Sequence, residues 1–173
     1  MRARQKYRQI YWGAFAAALG VYVTMIVWTL PGISQSAGGL LPFDLRPMGY
    51  SADEARAFLS ALGAEGHALY TGPQRLLDMA YPALLGFVLI GALRYFYAKG
   101  WLLTLLVFVA LAGMGADYLE NMRVALLLAG DTSDLAIAAA SRSTVMKSVL
   151  TSVAMLAVLA GLIGATWRGW RRK

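Results

Sequence analysis

The sequence predicts an all-α membrane protein, a four-transmembrane-helix bundle with a partly helical outer loop between helices 1 and 2. Three observations predict it. Hydrophobic residues make up 59% of the chain and charged ones only 14%, against about 25% charged in soluble domains. Four apolar stretches each reach the ~20 helical residues that a ~30 Å hydrocarbon core requires. The basic residues gather in alternate connections, as they do in chains that cross a membrane several times. The 173 residues fit one membrane domain (1–173) rather than two.

The four spans run about 10–30, 79–97, 101–128 and 144–167. The first follows a basic stretch (Arg2, Arg4, Lys6, Arg8). Its apolar core is longer than the h-region of a signal peptide, so it reads as an uncleaved span. Gly13, Ala14, Ala17, Ala18 and Gly20 offer it a small-residue face for close helix packing. Pro31-Gly32 and Gly38-Gly39 open the outer loop, 31–78. Pro42 and Pro47 bracket an extended stretch, Phe43-Asp44-Leu45-Arg46. Ser51-Ala52-Asp53-Glu54 is a capping box. Ala55, Phe58, Leu59 and Leu62 follow at i, i+3, i+4 and i+7, so a short amphipathic helix is expected, ending at Gly63, its apolar stripe either lying on the outer membrane surface or capping the bundle. One or two helical turns over 64–70 end at Gly72-Pro73.

In the second span Pro82 frees a backbone carbonyl and favours a kink near Asp78. A tight turn at Lys99-Gly100 joins it to the third as a helical hairpin. Gly130 to Ser133 leads to the fourth span, and 134–140 reads as a separate surface helix.

Charge sets the orientation. Of the sixteen Lys and Arg residues, ten fall in the inner segments (Arg2, Arg4, Lys6, Arg8, Arg94, Lys99, Arg168, Arg171, Arg172, Lys173), with no acid among them. By the positive-inside rule both termini are expected in the cytoplasm. The net charge of +7 therefore reflects membrane orientation, and no nucleic-acid partner is expected. Trp12, Trp28, Trp101 and Trp167 mark the span ends as an aromatic belt.

The chain has no cysteine and a single histidine, His67. That removes disulfides, thiolate sites and paired-histidine metal motifs. There is no P-loop or dinucleotide fingerprint, and no cofactor is expected. His67 reads as an ordinary loop residue. Arg46, Arg56 and Arg75 have the charge to contact lipid phosphates, Arg56 being the one best explained as a solvated loop residue.

The candidate site is a polar constellation in the outer halves of the spans. Charged groups in hydrocarbon cost at least ~2.5–3.5 kcal/mol each, so they mark function or a protein interior. At 1.5 Å per residue, Asp117 lies ~9 Å inward of Arg123, Lys147 ~7.5 Å inward of Arg142 and Asp78 ~5 Å inward of Arg75. Asp117, Glu120 and Asn121 share one helical face. Tyr81 stands a turn from Asp78, while Ser143, Thr144, Ser148 and Thr151 add hydroxyls. These groups are expected to line one pocket open to the outside. Asp78, Tyr81, Asp117, Tyr118, Glu120, Asn121 and Lys147 are the candidate ligand-binding residues, and Asp117 and Glu120 are the acid–base candidates. Against this stands a structural reading, in which Lys147 pairs with Asp117 or Glu120 and the network sets helix register. Glu120–Arg123 would then be a simple surface pair. An oxygen-ligand metal site is a weak alternative, and none is assigned.

Three motifs carry a resemblance: Phe43-Asp44-Leu45-Arg46-Pro47-Met48-Gly49-Tyr50-Ser51, Leu77-Asp78-x-x-Tyr81-Pro82, and Asp117-x-x-Glu120-Asn121 followed by Thr144-x-x-Lys147. Across 43–147 the chain resembles an uncharacterised family of small bacterial four-span integral membrane proteins. The resemblance implies the same four-helix plan and a place in the bacterial inner (plasma) membrane, and it supplies no activity. A looser likeness to sterol-isomerase-type membrane domains is one of architecture only.

Three functions follow as expectations. The first is recognition of a lipid-like or amphipathic small molecule at an outer-leaflet carboxylate pocket, which Glu120→Gln or Asp117→Asn should abolish. The second is a non-catalytic accessory subunit held to a membrane-protein partner or to a homo-oligomer. The third is an intramembrane acid–base enzyme acting on a lipid or isoprenoid.

Overall fold

The computed structural model describes residues 2–171, with side chains from Arg4 onward. Arg172, Lys173 and the side chain of Arg2, part of the orientation argument, lie outside the described residues. Five helices form, with no strand among the described residues. Four are long and apolar enough to cross a membrane: α1 (Arg4–Ser36), α3 (Ala64–Phe96), α4 (Trp101–Leu128) and α5 (Asp134–Trp170). The short α2 (Ala52–Ala61) lies in the loop between α1 and α3. Helices α3, α4 and α5 pack on one another, and α1 flanks the bundle against α3.

The spans are longer than hydropathy alone predicts. Helix α1 passes through Pro31-Gly32 and ends at Ser36, where Gly38 (φ 64°) and Gly39 (φ 88°) turn the chain in the left-handed region. The Gly39 amide donates to the Ser34 carbonyl at 2.8 Å, closing that end. Helix α3 likewise passes through Gly72-Pro73, and α5 absorbs the expected separate helix over 134–140. The physical reason for the first two lies in two π turns, Met25–Thr29 in α1 and Tyr70–Gln74 in α3. Widening the helix there accommodates the nearby prolines without breaking the backbone ladder, a common adjustment in membrane helices. Apolar windows locate hydrocarbon, whereas helix continuity follows backbone pairing, so the two differ at the ends.

The stretch between Pro42 and Pro47 is a 3₁₀ turn, Phe43–Leu45, rather than extended. The predicted capping box forms in full at α2: Ser51 accepts from the Glu54 amide while Glu54 accepts from the Ser51 amide. Ala55 and Phe58 of its apolar stripe are fully buried, together with Phe43, Ile33 and Ile137. Helix α2 thus seals one end of the bundle. A second core of Leu89, Leu93, Ala110 and Ala154 fills the other half.

The glycines of α1 do not make the expected close contacts, although Ala18 is buried. A Cβ at Gly13 or Gly20 would meet nothing within 4 Å. Close approach occurs elsewhere, with Gly91 against the Tyr11 ring and Gly161 against Phe96. Outward-facing Trp28, Trp101 and Trp167 are all more than half exposed on the isolated chain, as rings at a lipid interface are.

Candidate functional site

The polar groups separate into a buried triad and a groove. On α4 the bundle-facing stripe reads Ala110, Gly113, Asp117, Glu120, Val124 and Leu127, every member buried. That spacing is an ordinary helical stripe, with two acids where apolar residues would stand. Lys147 of α5 answers both acids. Its Nζ lies 3.1 Å from Asp117 Oδ1 and pairs with Glu120 Oε2. Glu120 is fully buried, and its Oε1 has no hydrogen-bond partner. Gly113 allows the helices to meet here, since a Cβ would stand 3.2 Å from Thr151 Oγ1.

The expected Glu120–Arg123 pair does not form. Glu120 faces inward, while Arg123 donates to the Ala139 carbonyl (2.8 Å) and the Ser143 hydroxyl (2.5 Å) on α5. Two span-four hydroxyls turn back on their own helix, Ser143 to Ala139 and Thr144 to Ala140. Such local bonding is usual for these residues within helices.

The groove is a cavity of about 610 Å³ between the α3 π turn and the latter half of α4. Its polar wall carries Asp44, Tyr70, Arg75, Asp78 and Asn121, and its apolar wall includes Met79, Met122 and Leu126. Met79, Met122 and Leu126 are each more than half exposed, so the apolar side faces outward, where lipid would lie. Asp117, Glu120 and Lys147 do not line this groove. The seven candidate residues therefore do not share one pocket.

The other four are accounted for as follows. Asn121 Nδ2 donates to the Asp78 carbonyl at 2.9 Å, and Tyr118 donates to the Met79 carbonyl at 3.0 Å. The Asp78 carboxylate accepts from Gln74 Nε2 at 2.8 Å. Tyr81 points away from the groove and stacks on Tyr22 of α1, centroids 6.0 Å apart, which fastens α1 to the bundle.

Four groove or near-groove groups escaped sequence reasoning. Asp44 reaches the groove from the 3₁₀ turn and accepts a bond from Tyr70. Gln74 is buried and accepts from Thr29, linking the two π turns. The signal for Asp44 was present in the Phe43–Ser51 motif, but that loop's fold onto the bundle was not legible. Thr29 and Gln74 are uncharged, so depth arguments pass over them.

Asp44, Asp78, Asp117 and Glu120 lie within electrostatic range of one another and of Lys147. Asp117 and Glu120 share the Lys147 ammonium, and among the described residues Asp44 and Asp78 enter no ion pair. Outside the spans, burial raises the Tyr50 phenol above its ordinary range, so it stays protonated. His67 Nε2 sits 3.1 Å from the Leu128 carbonyl, tying the start of α3 to the end of α4. Arg46 bonds within its own loop. It donates twice to the Leu41 carbonyl, at 2.9 and 2.7 Å, beside the Phe43, Tyr50 and Phe58 rings. Arg56 pairs with Asp134 and, at 3.7 Å, with Asp53. Among the described residues no group of three or more His, Asp or Glu side chains is arranged to hold a metal ion.

No family model, curated protein or solved structure matches this chain.

Proposed function

We propose that this protein binds a lipid-like, amphipathic molecule in the groove between α3 and α4. One observation carries the reading: a cavity of about 610 Å³ with carboxylates on its inner wall and exposed apolar side chains on its outer wall. Binding pockets of this kind combine an apolar lining with a few polar groups that fix orientation. An apolar tail would lie along Met79, Met122 and Leu126, and a polar head would meet Asp44, Asp78 and Tyr70. The buried triad supports the site from behind by fixing α4 against α5. In this reading the protein sits in the bacterial inner membrane with both termini in the cytoplasm, so the groove opens in the outer leaflet. The positive-inside charge pattern supports that orientation.

The test is native mass spectrometry of protein released gently from its own membrane. A small-mass adduct that survives on the wild type and is lost on Asp78→Asn is the expected result. A bare monomer would defeat the proposal, and a co-purifying protein in its place would favour the accessory-subunit function. A second reading, an intramembrane acid–base enzyme, draws on the two carboxyl groups facing one cavity. It requires turnover of the adduct, visible as a second mass.

A further inference from the structure

We infer that the groove selects a zwitterionic phospholipid head bearing a primary ammonium, as in an ethanolamine phosphate. The inference rests on the lipid-binding reading above and adds the head-group chemistry. Asp44 and Asp78 line the same cavity, and each accepts a bond from a neutral donor, Tyr70 and Gln74 respectively. Among the described residues neither carboxylate enters an ion pair. Partly buried carboxylates without a cation are costly, and a cationic ligand group relieves the cost.

The groove also has a positive element. Arg75 lies on its wall, exposed, and among the described residues pairs with no acid. It stands one turn before Asp78 on α3, which separates the two along the axis by about 4.5 Å. A guanidinium is suited to a phosphate, and the carboxylates to an ammonium. The two signs thus lie a short step apart, a spacing comparable with that of a phosphate and an amine joined by two carbons. A primary ammonium has three N–H donors for Asp44 and Asp78. A quaternary ammonium has none, and a glycerol head brings no positive charge.

The experiment is competitive lipid loading. The delipidated full chain is offered an equimolar mixture of phosphatidylethanolamine, phosphatidylcholine and phosphatidylglycerol with identical acyl chains, and bound masses are read by native mass spectrometry. Phosphatidylethanolamine should dominate. Asp44→Asn, on the loop and outside the α3 backbone network, should lower its excess over phosphatidylglycerol by about tenfold, the worth of one charge-assisted bond. Arg75→Gln should weaken retention of all three heads. A melting curve run on each variant separates lost selectivity from lost fold. Equal retention of phosphatidylcholine, or equal or greater retention of phosphatidylglycerol, would overturn the head-group assignment while leaving lipid binding intact. Retention of no lipid would overturn the lipid-binding reading itself.

Discussion

Asn121 on α4 donates its amide to the Asp78 carbonyl on α3, and that carbonyl is the one a proline leaves free. In an α-helix the amide of residue 82 would bond the carbonyl of residue 78. Pro82, inside α3, has no amide hydrogen to give. In hydrocarbon an orphaned carbonyl is costly, and another helix must supply the missing donor. Asn121 supplies it, so the Asp78-x-x-Tyr81-Pro82 and Glu120-Asn121 motifs are two halves of one joint. Asn121→Leu should therefore destabilise the bundle by about 0.6–1.7 kcal/mol, the range for interhelical bonds in membranes. In a Pro82→Ala background the helix mends its own bond and most of that cost should vanish. Equal losses in both backgrounds, in a double-mutant cycle by thermal or denaturant unfolding, would show that the joint does not exist.

The triad makes an asymmetric prediction. Lys147 holds both Asp117 and Glu120. Lys147→Met strands two buried carboxylates, whereas Glu120→Gln leaves the Lys147–Asp117 pair in place. Removing one partner of a buried pair costs about 3–5 kcal/mol, so Lys147→Met should approach that figure and Glu120→Gln should cost clearly less. Adding Asp117→Asn and Glu120→Gln to Lys147→Met should restore part of the loss. Unfolding of the four variants in one detergent orders them, and a Glu120→Gln loss as large as that of Lys147→Met would contradict the shared-ammonium geometry.

Acidity should loosen α2 before it affects the spans. The Ser51 amide, at 2.7 Å, and the Ser51 hydroxyl, at 2.9 Å, hold the exposed Glu54 carboxyl below the usual carboxylate range. A carboxyl depressed by folding stabilises the fold above its unfolded value, about 4.3, and that contribution is lost as pH falls through the folded value. Hydrogen exchange over Ala55–Ala61, corrected for intrinsic rates, should therefore accelerate on acidification. In Glu54→Gln the acceleration should be absent. An unchanged acid response in that variant would move the cause to another group.

How much of this was legible in the sequence differs by element. The four helices, the capping box and the buried Ala55–Phe58 stripe follow from local periodicity and cap chemistry, which neighbouring residues determine. Pro82's freed carbonyl was also legible, because a missing amide is a local fact. Its partner Asn121 was visible only as one of three polar residues on α4. Asp117 and Glu120 were legible as neighbours on one helical face, yet the rotation of α4 turns them inward to Lys147 and leaves Asn121 to α3. That rotation is set by packing among three helices, which no single segment encodes. Asp44 entered through the fold of a loop, and Thr29 met Gln74 through two facing π turns. Both depend on contacts between segments far apart in the chain.

The same distinction governs the glycines and gives the last prediction. Gly66 is buried where α3 begins, and its amide donates to Ser36 Oγ at 3.0 Å. A Cβ there would stand 2.5 Å from the Ser36 Cβ and 2.8 Å from Leu62 Cδ1. Ser36 also accepts the Gly63 amide through its carbonyl, so it cannot retreat without giving up a second contact. Overpacking of this kind costs about 1–3 kcal/mol, and Gly66→Ala should lose that much by separating the end of α1 from the start of α3. Gly13→Ala, facing open space, should be neutral or slightly stabilising, since alanine restricts the unfolded chain more than glycine does. Melting midpoints of the two variants in the same detergent make the comparison. A neutral Gly66→Ala would mean that the α1–α3 junction yields easily.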